Sequence, residues 1–144
     1  MIDAFILGGE RTPVQDIRYQ FMQLTDVVIR ALSPAINDPF TAINGINELT
    51  TGAAALARRS RVADMREDEQ GVVRLIVPTA GIGEILEETV GHIAIYAAGD
   101  RFVMAALRQI LDAVDRDMHD AREREILARL RNELDRREKA KSGG

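Results

Sequence analysis

The polar residues best placed to do chemistry crowd into one short stretch: Asp26, Arg30, Ser33, Asn37, Asp38 and Thr41. The pattern around them puts these side chains on the last turns of one helix, a short linker and the first turn of the next. They must therefore lie close in space. Each has a structural use there: Asp38 can cap a helix, Ser33 and Asn37 can hold the turn, and Arg30 can answer Asp26 or free helix-end carbonyls. The same cluster can also be read as a small polar site, with Arg30 and free amides binding an anion or a partner's backbone. Ser33 is the one seat for a nucleophile. It has no histidine close in sequence and is followed by Pro34, so a hydroxyl satisfying a helix end is the simpler reading.

Other constellations carry less. Glu88 and His92 stand four apart on one helical pattern, and Asp115, His119 and Glu123 repeat that spacing later. Carboxylates flanking a histidine on one face can hold a divalent ion. Neither group has a second histidine, and a charged stretch of this kind is ordinarily a solvated helix face. No metal and no other cofactor is expected. Gly81-Ile82-Gly83 opens a helix and Gly8-Gly9 precedes another, where amides attract anions. Neither has the lysine or the spacing of a phosphate loop, and turn formation explains both.

These residues sit in a chain of 144 with 19 basic and 23 acidic side chains, no cysteine and no tryptophan. The hydrophobic fraction of 46% allows one core and excludes a disordered chain. Without cysteine there is no disulfide scaffold, thiolate metal site or thiol nucleophile. A pI near 5.2 speaks against a nucleic-acid partner. The cluster Arg58-Arg59-Ser60-Arg61 is short, and the later arginines alternate with acids. No run approaches the ~20 apolar residues needed to cross a bilayer, and the start lacks the features of a signal peptide. The expectation is a soluble, cytoplasmic chain.

The positioning elements follow from periodicity. Residues 1–10 read as the end of a preceding β segment or a disordered start, with Ala4-Phe5-Ile6-Leu7 strand-like and unpaired. Residues 11–118 read as one helical domain. Thr12-Pro13 with Gln15 predicts its first helix start, and Ile17, Phe21, Leu24, Val28 and Leu32 form an apolar stripe. Asp38-Pro39 starts a second helix running to about Arg59, with Ile43, Ile46, Leu49, Ala53 and Leu56 inward. The short link makes the two antiparallel neighbours. A hairpin near 63–77 pairs Ala63–Arg66 with Val72–Val77 around an Asp68–Gly71 turn. Two strands are marginal alone, so it must pack on the helices or pair across a dimer. A third helix ends at Gly99, Asp100 caps a fourth, and residues 119–138 form a charged helix with a narrow stripe of Ile126, Leu127, Leu130 and Leu134. Residues 139–144 are expected to be disordered. The fold class is mainly α, an antiparallel bundle of four to five helices with one small β-hairpin insertion.

The stretch Arg11-Thr12-Pro13-Val14-Gln15-Asp16, followed by Gln23-Leu24-Thr25-Asp26, Arg30-Ala31-Leu32-Ser33-Pro34-Ala35-Ile36-Asn37-Asp38-Pro39 and Thr41-Ala42, resembles a bacterial family of predicted membrane proteins, domain of unknown function 2254. Its signature reads R-T-x-x-Q-D, then Q-L-x-D-x-x-x-R-A-L-S-P-G-I-N-D-P-x-T-A. The resemblance is specific over Arg11 to Ala42, looser to about Asp112 and absent from the charged tail. It implies membership of the soluble C-terminal region, preceded in full-length members by transmembrane helices and a short β-rich segment. It also implies a candidate ligand site at Asp26, Arg30, Ser33, Asn37, Asp38 and Thr41, supported by Arg11, Gln15, Asp16 and Gln23. Gln20, Met22 and Ala35 depart from the family's Gly, Arg and Gly. The missing arginine removes one anion donor, and Ala35 completes the turn only at negative φ.

The family has no established activity. The functional expectation is a non-enzymatic assembly or regulatory module, a homo-oligomer tied to the membrane through an upstream segment of the parent. The strand at Ala4–Leu7, the hairpin edge and the stripe of Leu127, Leu130 and Leu134 are its candidate self-association surfaces. The alternative is an anion-binding or hydrolytic site at the helix corner.

Overall fold

Four of the five helices begin on an aspartate. The computed structural model describes residues 16–59, 65–76, 80–97 and 99–142. In these, Asp16 caps α1 (Ile17–Ala31), Asp38 caps α2 (Pro39–Ala57) and Asp100 caps α4 (Arg101–Asp115). Asp120 accepts from the amides of Arg122 and Glu123 at the head of α5 (Ala121–Ser142). Each carboxylate satisfies amides that the helix itself cannot, next to the positive end of its dipole.

The start of α1 corrects the sequence expectation. The helix opens one turn later than Thr12-Pro13 predicts, because Asp16 supplies a stronger cap, accepting from the Tyr19 amide at 3.1 Å. The expected residues Thr12, Pro13 and Gln15 lie outside the described residues, as does the strand expected at Ala4–Leu7.

The third helix, α3 (Ile82–Ala97), is capped from elsewhere. The Gly83 amide donates to Glu123 Oε2 of α5 at 2.5 Å, and Glu123 is only 5% exposed. A Cβ on Gly81 or Gly83 would overlap that carboxylate. The two glycines therefore do admit an anion to a helix start, and the anion is the chain's own Glu123.

Packing fixes the helix directions. Gly45 of α2 meets Val28 of α1, and Gly52 meets Phe21, so these two helices are antiparallel and in close approach. Ile17, Leu56, Ile82, Met118 and His119 line one cavity of about 620 Å³. The starts of α1, α3 and α5 and the ends of α2 and α4 thus share one pole of the bundle. The corner between α1 and α2 lies at the other pole, with the turn between α3 and α4. Lys141 near the end of α5 reaches Gly99 there, which agrees with this arrangement.

The core is a single cluster drawn from all five helices. Phe21, Val28, Ile46, Leu49, Leu86, Val90, Ile93, Leu107, Ile110 and Leu111 are buried in it, as expected from their spacing. Two details differ. On α2 the fully buried positions are Ala42, Gly45, Ile46, Leu49 and Ala53, while Ile43 and Leu56 are half-buried, because small residues let α1 come closest. On α5, Leu127, Leu130 and Leu134 are buried inside their own bundle, so they are not a self-association surface. Helix α5 also continues through Lys139 to Ser142, where a disordered tail was expected. Arg108 of α4 holds its later turns by ion pairs to Asp135 at 3.0 Å and Glu138 at 2.6 Å.

The β-hairpin pairs β1 (Met65–Glu67) with β2 (Val73–Ile76), Met65 opposite Ile76, with an irregularity between Arg66 and Glu67. Its expected outer residues, 63, 64 and 77, lie outside the described residues. The turn is built on Asp68, which accepts from the amides of Gln70 at 3.0 Å and Val72 at 2.9 Å, with Gly71 at φ +75°. Arg74 Nε donates to the same carboxylate at 2.6 Å. Those amide and guanidinium donors hold the Asp68 carboxyl below its ordinary value, the Val72 amide foremost.

Candidate functional site at the first helix corner

The corner is a tight seven-residue connection. The Ser33 amide donates to the Arg30 carbonyl at 3.2 Å, and the Ile36 and Asn37 amides both donate to the Ser33 carbonyl. The Asp38 amide then donates to the Ala31 carbonyl at 2.8 Å, closing the link across the end of α1. The reversal takes place at Asn37, φ +48°, a left-handed conformation that asparagine tolerates better than other side chains. Ala35 has no such φ, so its replacement of the family's glycine is accommodated.

Each predicted site residue can be placed. Asp38 Oδ1 accepts from the Thr41 amide at 3.1 Å, and Thr41 Oγ1 donates to Asp38 Oδ2 at 2.6 Å. The Thr41 hydroxyl, then the Thr41 and Phe40 amides, hold the Asp38 carboxyl below its ordinary value. Both residues are engaged in the cap. The expected pair of Asp26 with Arg30 does not form: both side chains are exposed, and neither has a polar partner among the described residues. Ser33 offers its carbonyl to the turn and leaves its hydroxyl without a partner there. The corner therefore presents Arg30, Ser33 and Asn37 at the surface beside a consumed Asp38–Thr41 pair.

The described supporting residues, Asp16 and Gln23, do not gather around it. Asp16 lies fourteen helix positions from Arg30, about 21 Å at 1.5 Å per residue, and caps the opposite end of α1. Gln23 donates to the Tyr19 hydroxyl at 3.1 Å, also toward that end. Arg11 and Gln15 lie outside the described residues. The described part of the polar signature on α1 is thus spread along the helix rather than folded into one site.

The carboxylate–histidine groups are dispersed too. Glu88 is held by Arg18 of α1, its Oε2 accepting from Nε at 2.8 Å, and Asp115 is paired with Arg131 at 3.1 Å. Glu123 caps α3, while His92 and His119 are exposed. No group able to hold a metal ion occurs among the described residues.

Comparison with known proteins bears on the corner directly. The sequence profile of a family described as a predicted membrane protein (DUF2254) matches residues 1–113. The chain belongs to this family. Uncharacterized protein Mb1321c of Mycobacterium bovis is 37% identical to it over 114 residues, which is 79% of this chain and 22% of the relative. Uncharacterized protein Rv1290c of Mycobacterium tuberculosis matches to the same extent. This DUF2254 chain therefore spans only 22% of the length of those relatives. No solved structure matches it. Among its described residues, no helix is long and apolar enough to cross a membrane. The family match ends within α4, so α5, which supplies Leu127, Leu130 and the Glu123 cap, lies beyond it.

Sequence reasoning missed the cavity at the opposite pole. Its walls are mainly apolar, and its rim carries Arg58 and Asp117, 3.6 Å apart, with His119. These residues come from the ends of different helices, and no local spacing links them.

Proposed function

We propose that this chain is a non-enzymatic assembly module of a membrane-protein family, associating with a second copy through its β-hairpin. The hairpin carries the reading. Among the described residues neither strand comes within contact range of any helix, although each helix packs on others. Val72, Val73 and Ile76 are exposed, Ile76 to 64%. A lone two-stranded ribbon with apolar side chains in water is only marginally stable, and pairing with a second hairpin both buries those side chains and satisfies strand edges. Sedimentation over a range of concentrations tests this. A dimer that Val73→Asp with Ile76→Asp converts to monomer is expected; a strict monomer at high micromolar concentration overturns the proposal.

A second reading, an anion site at the helix corner, is favoured by one observation: Arg30 has no partner among the described residues and lies beside the exposed Asn37 turn. It predicts that sulfate or phosphate raises the melting temperature by mass action, and that Arg30→Ala removes the rise. An equal rise in both proteins excludes it.

A further inference from the structure

The pole that carries the helix corner is unusual in what it leaves in water. Ile36 and Phe40 project from the corner between α1 and α2, Phe40 to 80% exposure. Tyr96 and Phe102 project from the turn between α3 and α4, Phe102 to 60%. These are four of the ten large hydrophobic side chains exposed among the described residues, gathered where helices begin or end.

Cations surround them. Arg101 stacks on Phe102, its guanidinium carbon 4.6 Å from the ring centroid, and Arg30, exposed on the last turn of α1, has no polar partner among the described residues. Lys139 and Lys141 on the last turn of α5 reach the same pole. The acids there are Asp26, Asp38, Asp100 and Glu138; Asp38 and Asp100 are bound to the amides of their own helix starts, and Glu138 is paired with Arg108. The unengaged charge at this pole is therefore mainly positive, on a chain whose net charge is −4.

We propose that this pole docks on an anionic lipid surface, with Phe40 and Phe102 entering the interface and Arg30, Arg101 and the α5 lysines meeting headgroup phosphates. Aromatic side chains beside arginine and lysine suit the boundary between headgroups and acyl chains, since rings enter it while charged tips stay at the phosphates. The apolar groups sit on two separate protruding turns. A deformable lipid surface accommodates two protrusions without the continuous complementary face that a protein partner needs. Membership of a family described as a predicted membrane protein places such a surface within reach. This pole lies away from the bundle end where α2 leaves for the hairpin, so the inference does not rest on assembly.

Co-sedimentation of the whole chain with vesicles tests it. Vesicles of phosphatidylcholine mixed with phosphatidylglycerol should bind the chain, and pure phosphatidylcholine should bind it much less. Phe40→Ala with Phe102→Ala should weaken binding to the mixed vesicles about tenfold or more. Arg30→Glu with Arg101→Glu should remove the dependence on phosphatidylglycerol. All four side chains are exposed, and circular dichroism checks that the variants remain folded. Val73→Asp with Ile76→Asp on the hairpin should leave vesicle binding unchanged. No binding to the mixed vesicles, or binding that the phenylalanine variant retains in full, overturns the proposal. So does a change of oligomeric state in the phenylalanine variant without loss at the vesicle, which would assign the pole to a second copy.

Discussion

At the scale of single residues, the strongest commitment is Glu123. A nearly buried carboxylate is stable only if its charge is answered, and here the Gly83 amide at the start of α3 answers it across the helix interface. Glu123→Ala should destabilise the chain by about 2 kcal/mol in chemical denaturation, the cost of leaving the buried Gly83 amide unsatisfied. Gly81→Ala should destabilise it too, because the added methyl displaces the carboxylate, and the double variant should lose less than the sum. Additive losses would show that glycine and glutamate act independently. Asp38 makes a prediction in pH. Its folded pKa lies below the ordinary 3.8, so its contribution is present above that value and is lost as pH falls through the folded pKa. Asp38→Asn should flatten the acid limb of the stability profile below about pH 4 while removing part of the cap.

At the scale of elements, α5 departs from expectation while the hairpin forms as expected. The leucines of α5 read as a surface stripe because charges outnumber them, yet they close the core between α3 and α4. Leu130→Ala should therefore cost about 2–5 kcal/mol, as a buried leucine does, and leave the oligomeric state unchanged. A shift to monomer at unchanged stability would return the stripe to the surface. The hairpin was recognised from Val72–Val77 and its Asp68–Gly71 turn, and the turn is as expected. Gly71→Val should loosen it, since φ +75° strains a β-branched residue, and proteolysis in the turn should become faster. The expectation that the hairpin packs on helices or pairs across a dimer is half decided: helix packing is absent among the described residues.

At the scale of the whole molecule, five helices share one apolar cluster, so they should unfold together. Helix content and near-ultraviolet tyrosine signals should follow one urea transition. An early separate loss of α5 would show that its ion pairs, and not its leucines, hold it. Those pairs, Arg108 with Asp135 and Glu138 and Arg131 with Asp112 and Asp115, are partly exposed, so high salt should lower the melting temperature only slightly. Bundle polarity also separates two surfaces that a linear reading confuses. The cavity and the corner lie at opposite poles because each helix carries the chain across the core once.

Local order alone determined much of this protein. Periodicity placed the buried faces of α3 and α4, Asp38 and Asp100 marked two helix starts, and Arg11 to Ala42 carried the family resemblance, because each signal lies within a few turns of one chain segment. Tertiary structure alone decided where Glu123 points and whether the leucines of α5 face water. It also left Phe40 and Phe102 exposed at one pole. The separation of Asp16 from Arg30 follows from the length of α1 alone; the other outcomes depend on which helix ends meet across the core, and that is settled by packing between segments distant in the chain.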